Sequence, residues 1–120
     1  MPSSQLLADP PAAFDAAAPS SPVEALLVAA VEGCNVAIAH CVRSGGRRAE
    51  PVRLGRLVDA VELGQTAAGL DDRGSPLLRP QLAVCRAAFA RVAADCESWT
   101  EDPILSYCGQ VCSSAAAGLA

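Results

Sequence analysis

Apolar residues recur along this chain at helical spacing. Between residues 52 and 63, apolar side chains fall mostly on one face of a helix. The alternation of apolar and polar positions that marks a half-buried strand is missing. Alanine dominates the apolar residues and aromatic residues make up only 3% of the chain, a composition that suits close helix packing rather than sheets. The pattern predicts an all-α protein.

Start and stop signals divide the chain into four helical blocks. Ser21 followed by Pro22 and Glu24 is a typical helix start, and Ser44-Gly45-Gly46 is a typical helix end. The same signals farther along predict helices over about residues 22–43, 50–70, 75–98 and 103–117. Short connections between helices of this length favour antiparallel neighbours. We therefore expect an antiparallel up-down-up-down four-helix bundle.

The N-terminal segment differs in composition from the rest of the chain. Residues 1–21 are rich in proline, alanine and serine, which predicts a flexible, disordered arm. Leu6, Leu7 and Phe14 could dock this arm onto the bundle or onto a partner. The four-helix bundle is predicted to occupy residues 22–120 as one domain.

The charge distribution narrows the choice of partners. The chain has a net charge of −4, and all nine of its basic residues are arginines. They form no basic face, so nucleic acid is not expected as a partner. The first twenty residues lack the basic start and apolar run of a targeting segment, and no run of eighteen uninterrupted apolar residues follows. We expect no membrane partner and a location in a bacterial cytoplasm.

The six cysteines form three pairs, each within one predicted helix. The pairs are Cys34/Cys41, Cys85/Cys96 and Cys108/Cys112. Their spacings of seven, eleven and four residues are close to whole helical turns, so each pair falls on one helix face. Such thiols either fill a core as small hydrophobic side chains or build a site for a soft metal ion. We expect them to be reduced in a cytoplasm, although the even count allows fifteen disulfide pairings.

Among metal ions, Cu(I) suits this set best. It prefers thiolate ligands and accepts two or three of them, and Cys108 and Cys112 have the one-turn spacing that clamps a single ion. Counting along the helices predicts a small cluster in the middle of the bundle and an outer pair nearer the end where the third helix turns into the fourth. The middle cluster comprises Cys34, Cys85, Cys108 and Cys112, and the outer pair comprises Cys41 and Cys96.

Zinc binding and catalysis fit the residues less well. Zinc favours four Cys or His ligands, and His40, the only histidine, lies about 100° around its helix from Cys41. We expect His40 to be solvated at a bundle edge. A cysteine nucleophile needs a nearby base, and His40 is badly oriented for that role, so the sequence does not favour an enzyme.

Six short segments carry a resemblance to a known family. They are Cys34 through Cys41, Asp59-Ala60-Val61-Glu62, Arg73-Gly74-Ser75-Pro76, Cys85-Arg86-Ala87-Ala88, Cys96-Glu97 and Cys108-Gly109-Gln110-Val111-Cys112. Their order and spacing over about residues 23–117 resemble the cysteine-rich four-helix-bundle copper-storage proteins. The resemblance implies a cytosolic Cu(I)-binding protein, acting as buffer, store or chaperone, with bundle-interior thiolates as ligands.

The resemblance also implies a reduced copper capacity. Several positions that align with family cysteines carry other residues here. These are Ala30, Ala37, Arg53, Leu57, Ala60, Gly64, Phe89, Val92, Leu105 and Ala115. More thiols are replaced than kept, and the second helix has none.

Two other functions stay open at this point. A repurposed bundle could act without metal as a small-molecule-binding accessory protein or small enzyme in specialised metabolism. An inward-facing Arg53 would favour that reading, because a buried arginine requires an anion. Alternatively, the bundle could be an interaction module that packs into dimers or tetramers. Asp59 and Glu62 are expected to face water, and Trp99 and Tyr107 to cover one end of the bundle.

Overall fold

A computed structural model describes residues 21–120. Four α-helices make up most of this part of the chain, joined by short turns, and it contains no strand. They are α1 (Pro22–Ser44), α2 (Pro51–Asp72), α3 (Leu78–Cys96) and α4 (Pro103–Gly118). Two 3-10 turns, Gly46–Ala49 and Glu97–Trp99, lie in the connections. The predicted disordered arm covers residues 1–21. Residues 1–20 lie outside the described part, and Ser21 is the N-cap of α1.

The helix starts follow the signals found in the sequence for α1 and α4. The Ser21 hydroxyl accepts a hydrogen bond from the backbone N–H of Glu24 at 3.0 Å, as expected for an N-cap. Asp102 caps α4 by accepting from the backbone N–H groups of Ile104 and Leu105. Both helices have proline in their first turn, where a missing N–H is tolerated.

Helix α3 begins later than predicted. The expected start at Ser75 is wrong, because Ser75 Oγ accepts from the N–H of Leu77 at 3.1 Å and closes a local turn instead. Gly74, with a φ of 62°, leads into this turn. The helix then runs from Leu78 to Cys96, and its predicted last residues form a 3-10 turn.

The four helices form the predicted antiparallel bundle. Each helix packs against its two neighbours in a ring, with α1 beside α2 and α4, and α3 between α2 and α4. Small residues allow the helices to approach closely. A methyl group added at Gly64 of α2 would lie 2.6 Å from Val31 of α1 and 3.2 Å from the Phe89 ring of α3.

Buried side chains from all four helices fill the interior of the bundle. Of the ten positions aligned above with family cysteines, nine are buried and Arg53 is half-buried. Phe89 is fully buried and occupies the space opposite Gly64. The replacements therefore produce a packed core here, which counts against a repurposed bundle that binds a small molecule in its interior.

Helix α1 is long and apolar enough to cross a membrane by length and composition alone. Core helices of globular proteins meet the same criterion, and α1 buries one face against α2 and α4. The expectation of no membrane partner therefore stays a prediction.

Candidate metal centre

Three cysteine side chains meet in the middle of the bundle. The Sγ atoms of Cys34 and Cys112 lie 3.5 Å apart, and the Cys108 thiol donates to Cys34 Sγ at 3.9 Å. All three sulfur atoms lie within 4.8 Å of one another. In residues 21–120 this is the one group of three or more His, Cys, Asp or Glu side chains close enough to share an ion. We call Cys34, Cys108 and Cys112 the thiol cluster.

Two neighbouring helices position the thiol cluster. Cys108 and Cys112 lie one turn apart on the buried face of α4, and Cys34 projects from the buried face of α1. Gly33 allows α1 and α4 to approach closely, since a methyl group added there would lie 2.7 Å from Val111 and 3.7 Å from the Cys108 backbone. All three cysteines are 0% exposed.

The cluster favours one thiolate and opposes a second. Hydrogen bonds from Cys108 and Cys112 lower the pKa of Cys34 to about 5, because they stabilise its negative charge. Donating to Cys108 and Cys34, together with burial, raises the pKa of Cys112 well above its ordinary value. A cation bound between the sulfur atoms would remove the barrier to further ionisation.

The other three cysteines are buried but do not join this cluster. Cys96 lies at the end of α3, and its hydrogen bond with Cys108 raises the pKa of Cys96. The Cys85 thiol donates to the carbonyl of Leu63 at 3.3 Å, and burial raises its pKa to about 11. Burial also raises the pKa of Cys41, in the last turn of α1. Metal binding by Cys41, Cys85 and Cys96 stays a prediction.

Charged residues gather at one end of the bundle. The Asp102 carboxylate, 3% exposed, lies 2.7 Å from both His40 Nε2 and Arg48 Nε, which donate to the same oxygen. Burial opposes ionisation of Asp102, but the hydrogen bonds from His40 and Arg48 outweigh it and hold its pKa well below the ordinary value. The expectation of a solvated His40 is wrong, since its helix face points towards the start of α4.

A second ion pair completes this end. Arg53 donates to both oxygens of Asp95, at 2.7 and 3.2 Å, and also to the carbonyl of Arg47. The guanidinium of Arg53 lies 4.8 Å from the centre of the Trp99 ring, and that of Arg48 lies 4.6 Å from it. The anion that a buried Arg53 requires is therefore supplied by the chain itself. We call the set His40, Arg48, Arg53, Asp95, Trp99 and Asp102 the polar end.

Some of the remaining predictions for surface side chains are confirmed and one is wrong. Asp59 and Glu62 are exposed, as expected. Trp99 lies at the polar end, whereas Tyr107 is 57% exposed on the side of α4 and covers no bundle end. Sequence reasoning did not find Asp95 or Asp102 as ion-pair partners. Only the presence of a capping residue before Pro103 pointed to Asp102.

Comparisons with family models, curated proteins and solved structures found no match for this chain. The resemblance to copper-storage proteins therefore stays a prediction, and the thiol cluster has to be interpreted from its own chemistry.

Proposed function

We propose that this protein binds one Cu(I) ion through Cys34, Cys108 and Cys112 and serves as a low-capacity copper buffer or store. The observation that carries the proposal is the meeting of three buried thiols within 4.8 Å of one another. Three sulfur atoms bonded at about 2.3 Å to an ion in their plane would lie about 4.0 Å apart. The two sulfur separations of 3.5 and 3.9 Å in the structure, with the third within 4.8 Å, are close to that geometry.

The ligand set favours Cu(I) over Zn²⁺. Cu(I) is soft and is satisfied by three thiolates, whereas a structural zinc site takes four ligands from Cys, His or carboxylates. The histidine is engaged by Asp102 at the polar end, and no fourth Cys, His, Asp or Glu among the described residues lies within 4.8 Å of all three sulfur atoms. The family resemblance set out above supports the same choice of metal.

Burial of the site bears on how the ion would exchange. Because all three cysteines are 0% exposed, an ion can enter or leave only when α1 and α4 separate locally. Slow exchange suits buffering and storage better than rapid delivery to another protein. The replacement of aligned thiols by packed apolar side chains limits the capacity.

A competitive Cu(I) titration of the reduced protein tests the proposal. We expect one tightly bound equivalent in the wild type and its loss in Cys108→Ala. Cys85→Ala is the matched control, since it removes an equally buried thiol outside the cluster. Retention of the tight equivalent in Cys108→Ala, or its loss in Cys85→Ala to the same degree, would overturn the assignment. Circular dichroism of each variant would confirm that the bundle still forms.

A further inference from the structure

The outer face of α1 is unusually apolar for a surface that faces solvent. The inner face is buried, with Leu27, Cys34 and Cys41 all 0% exposed. On the outer face Val28 is 38% exposed and Val42 is 59% exposed. A helix packed on one side ordinarily presents charged residues on the other. Within residues 21–120, α1 packs against α2 and α4 and neither covers this face.

The exposed positions of this face follow a heptad pattern. They are Ala25, Val28, Glu32, Asn35, Ala39 and Val42. Their spacings alternate between three and four residues throughout, which is the pattern of a coiled-coil seam. Four of the six are apolar, and the two polar ones are adjacent in the middle. We call these six residues the outer seam.

The outer seam is complementary to a second copy of itself in the antiparallel direction. A two-fold axis level with residues 33 and 34 places Ala25 opposite the partner's Val42 and Val28 opposite the partner's Ala39. Each large side chain then meets a small one, as close helix packing requires. The same axis places Glu32 opposite the partner's Asn35, whose amide N–H can donate to the carboxylate. Two-fold interfaces of this kind are self-complementary.

A groove beside the seam extends the surface. It has a volume of about 590 Å³ and is lined by residues of α1 and α4 that include Val36, Ile104 and Tyr107. Val36 is 55% exposed and Tyr107 is 57% exposed. Aromatic residues are enriched in protein interfaces, where a large rigid ring adds contact area. A lipid surface fits this face less well, because Glu32 and Asn35 would sit in the middle of the apolar stripe.

We propose that the outer seam of α1 is the interface of an antiparallel homodimer. The interface joins two bundles through their first helices, with Tyr107 and Val36 at its edge. Cys34 is level with the two-fold axis but on the buried face of α1, so the thiol clusters of the two copies would lie at the same level on opposite sides of the paired helices. The inference rests on the pattern of α1 and is independent of metal binding.

Sedimentation equilibrium of the full chain tests the dimer. We expect two-chain species at micromolar concentration. Val42→Glu should lower the affinity of the dimer about tenfold or more, because it places a charge against the partner's Ala25. Val84→Glu is the matched control, because Val84 is 47% exposed on α3, the helix across the ring from α1. A wild-type monomer at about 100 µM, or equal effects of both substitutions, would overturn the proposal.

Disulfide cross-linking tests the antiparallel register separately. A mixture of Ala25→Cys and Val42→Cys chains, oxidised with glutathione disulfide, should give cross-linked heterodimers. Neither variant should cross-link with itself, since residue 25 and its counterpart in the partner would lie about 26 Å apart. The native thiols are buried and leave the added ones to react. Self-cross-linking of either variant, or binding of a monomer to phosphatidylglycerol vesicles in place of dimerisation, would contradict the assignment.

Discussion

The middle of the bundle and its polar end differ in how the charges of their buried ionisable groups are balanced. The thiol cluster brings together three side chains that can each lose a proton, with no cation from the described chain beside them to balance the charge. At the polar end, every buried or half-buried carboxylate has an arginine or histidine within 2.7 Å. Both carboxylates of the polar end already have counter-ions from the chain, whereas the thiol cluster gains most from an added cation. The polar end therefore contributes to structural stability, and the thiol cluster is the region that could hold a metal ion.

The largest effect is expected from removing the carboxylate at the polar end. Asp102→Ala leaves His40 and Arg48 without their partner and removes the N-cap of α4, which should lower the free energy of unfolding by about 4 kcal/mol. Chemical denaturation measures this loss. Asp59→Ala, an exposed change on α2, serves as control and should stay within about 0.5 kcal/mol.

Copper binding at the thiol cluster should be independent of the ion pairs at the polar end. Under conditions where Asp102→Ala is folded, it should still bind one equivalent of Cu(I), because Asp102 is not part of the thiol cluster. Loss of copper binding in the folded variant would mean that the polar end takes part in the metal site.

Acid should weaken the polar end in a defined direction. The pKa of Asp102 is lowered by folding, so its contribution to stability is fully present above its unfolded pKa of about 3.9 and is lost as the pH falls through the lower folded value. Denaturation of the wild type and Asp102→Asn between neutral and strongly acidic pH measures this. The stability difference between them should shrink below about pH 4. A constant difference across that range would contradict the ion-pair assignment.

A smaller effect is expected for copper affinity as a function of pH. Hydrogen bonds from Cys108 and Cys112 lower the pKa of Cys34, whereas the raised pKa of Cys112 means that its proton must leave when the ion binds. The apparent affinity for Cu(I) should therefore rise about tenfold per pH unit for each proton released. Competition titrations at several pH values measure the slope. A slope of zero would show that Cys112 is not a ligand.

Local signals in the sequence predicted most of the fold. The caps at Ser21 and Asp102 and the glycines after α1 place helix ends to within a residue or two, because a cap depends on neighbours in the chain. The start of α3 was missed because Ser75 has two local hydrogen-bonding alternatives, and only the folded backbone decides between them.

The site was predicted less completely, since it depends on contacts between distant segments. The alignment of Cys108 with Cys112 follows from spacing alone. The meeting of these two with Cys34 depends on the rotation of α1 against α4. Cys85 was expected in the same cluster, but α3 directs its thiol to the carbonyl of Leu63. The partners of His40 and Arg53 lie 62 and 42 residues away, beyond the reach of local patterns.

X-ray absorption spectroscopy of the protein loaded with one equivalent of Cu(I) tests the central claim most directly. Coordination by Cys34, Cys108 and Cys112 predicts a first shell of three sulfur atoms without nitrogen or oxygen. The spectrum should change in Cys34→Ala and stay the same in Cys85→Ala. A first shell that contains nitrogen or oxygen, or one that is unaltered by Cys34→Ala, would contradict a copper site built from the thiols of α1 and α4.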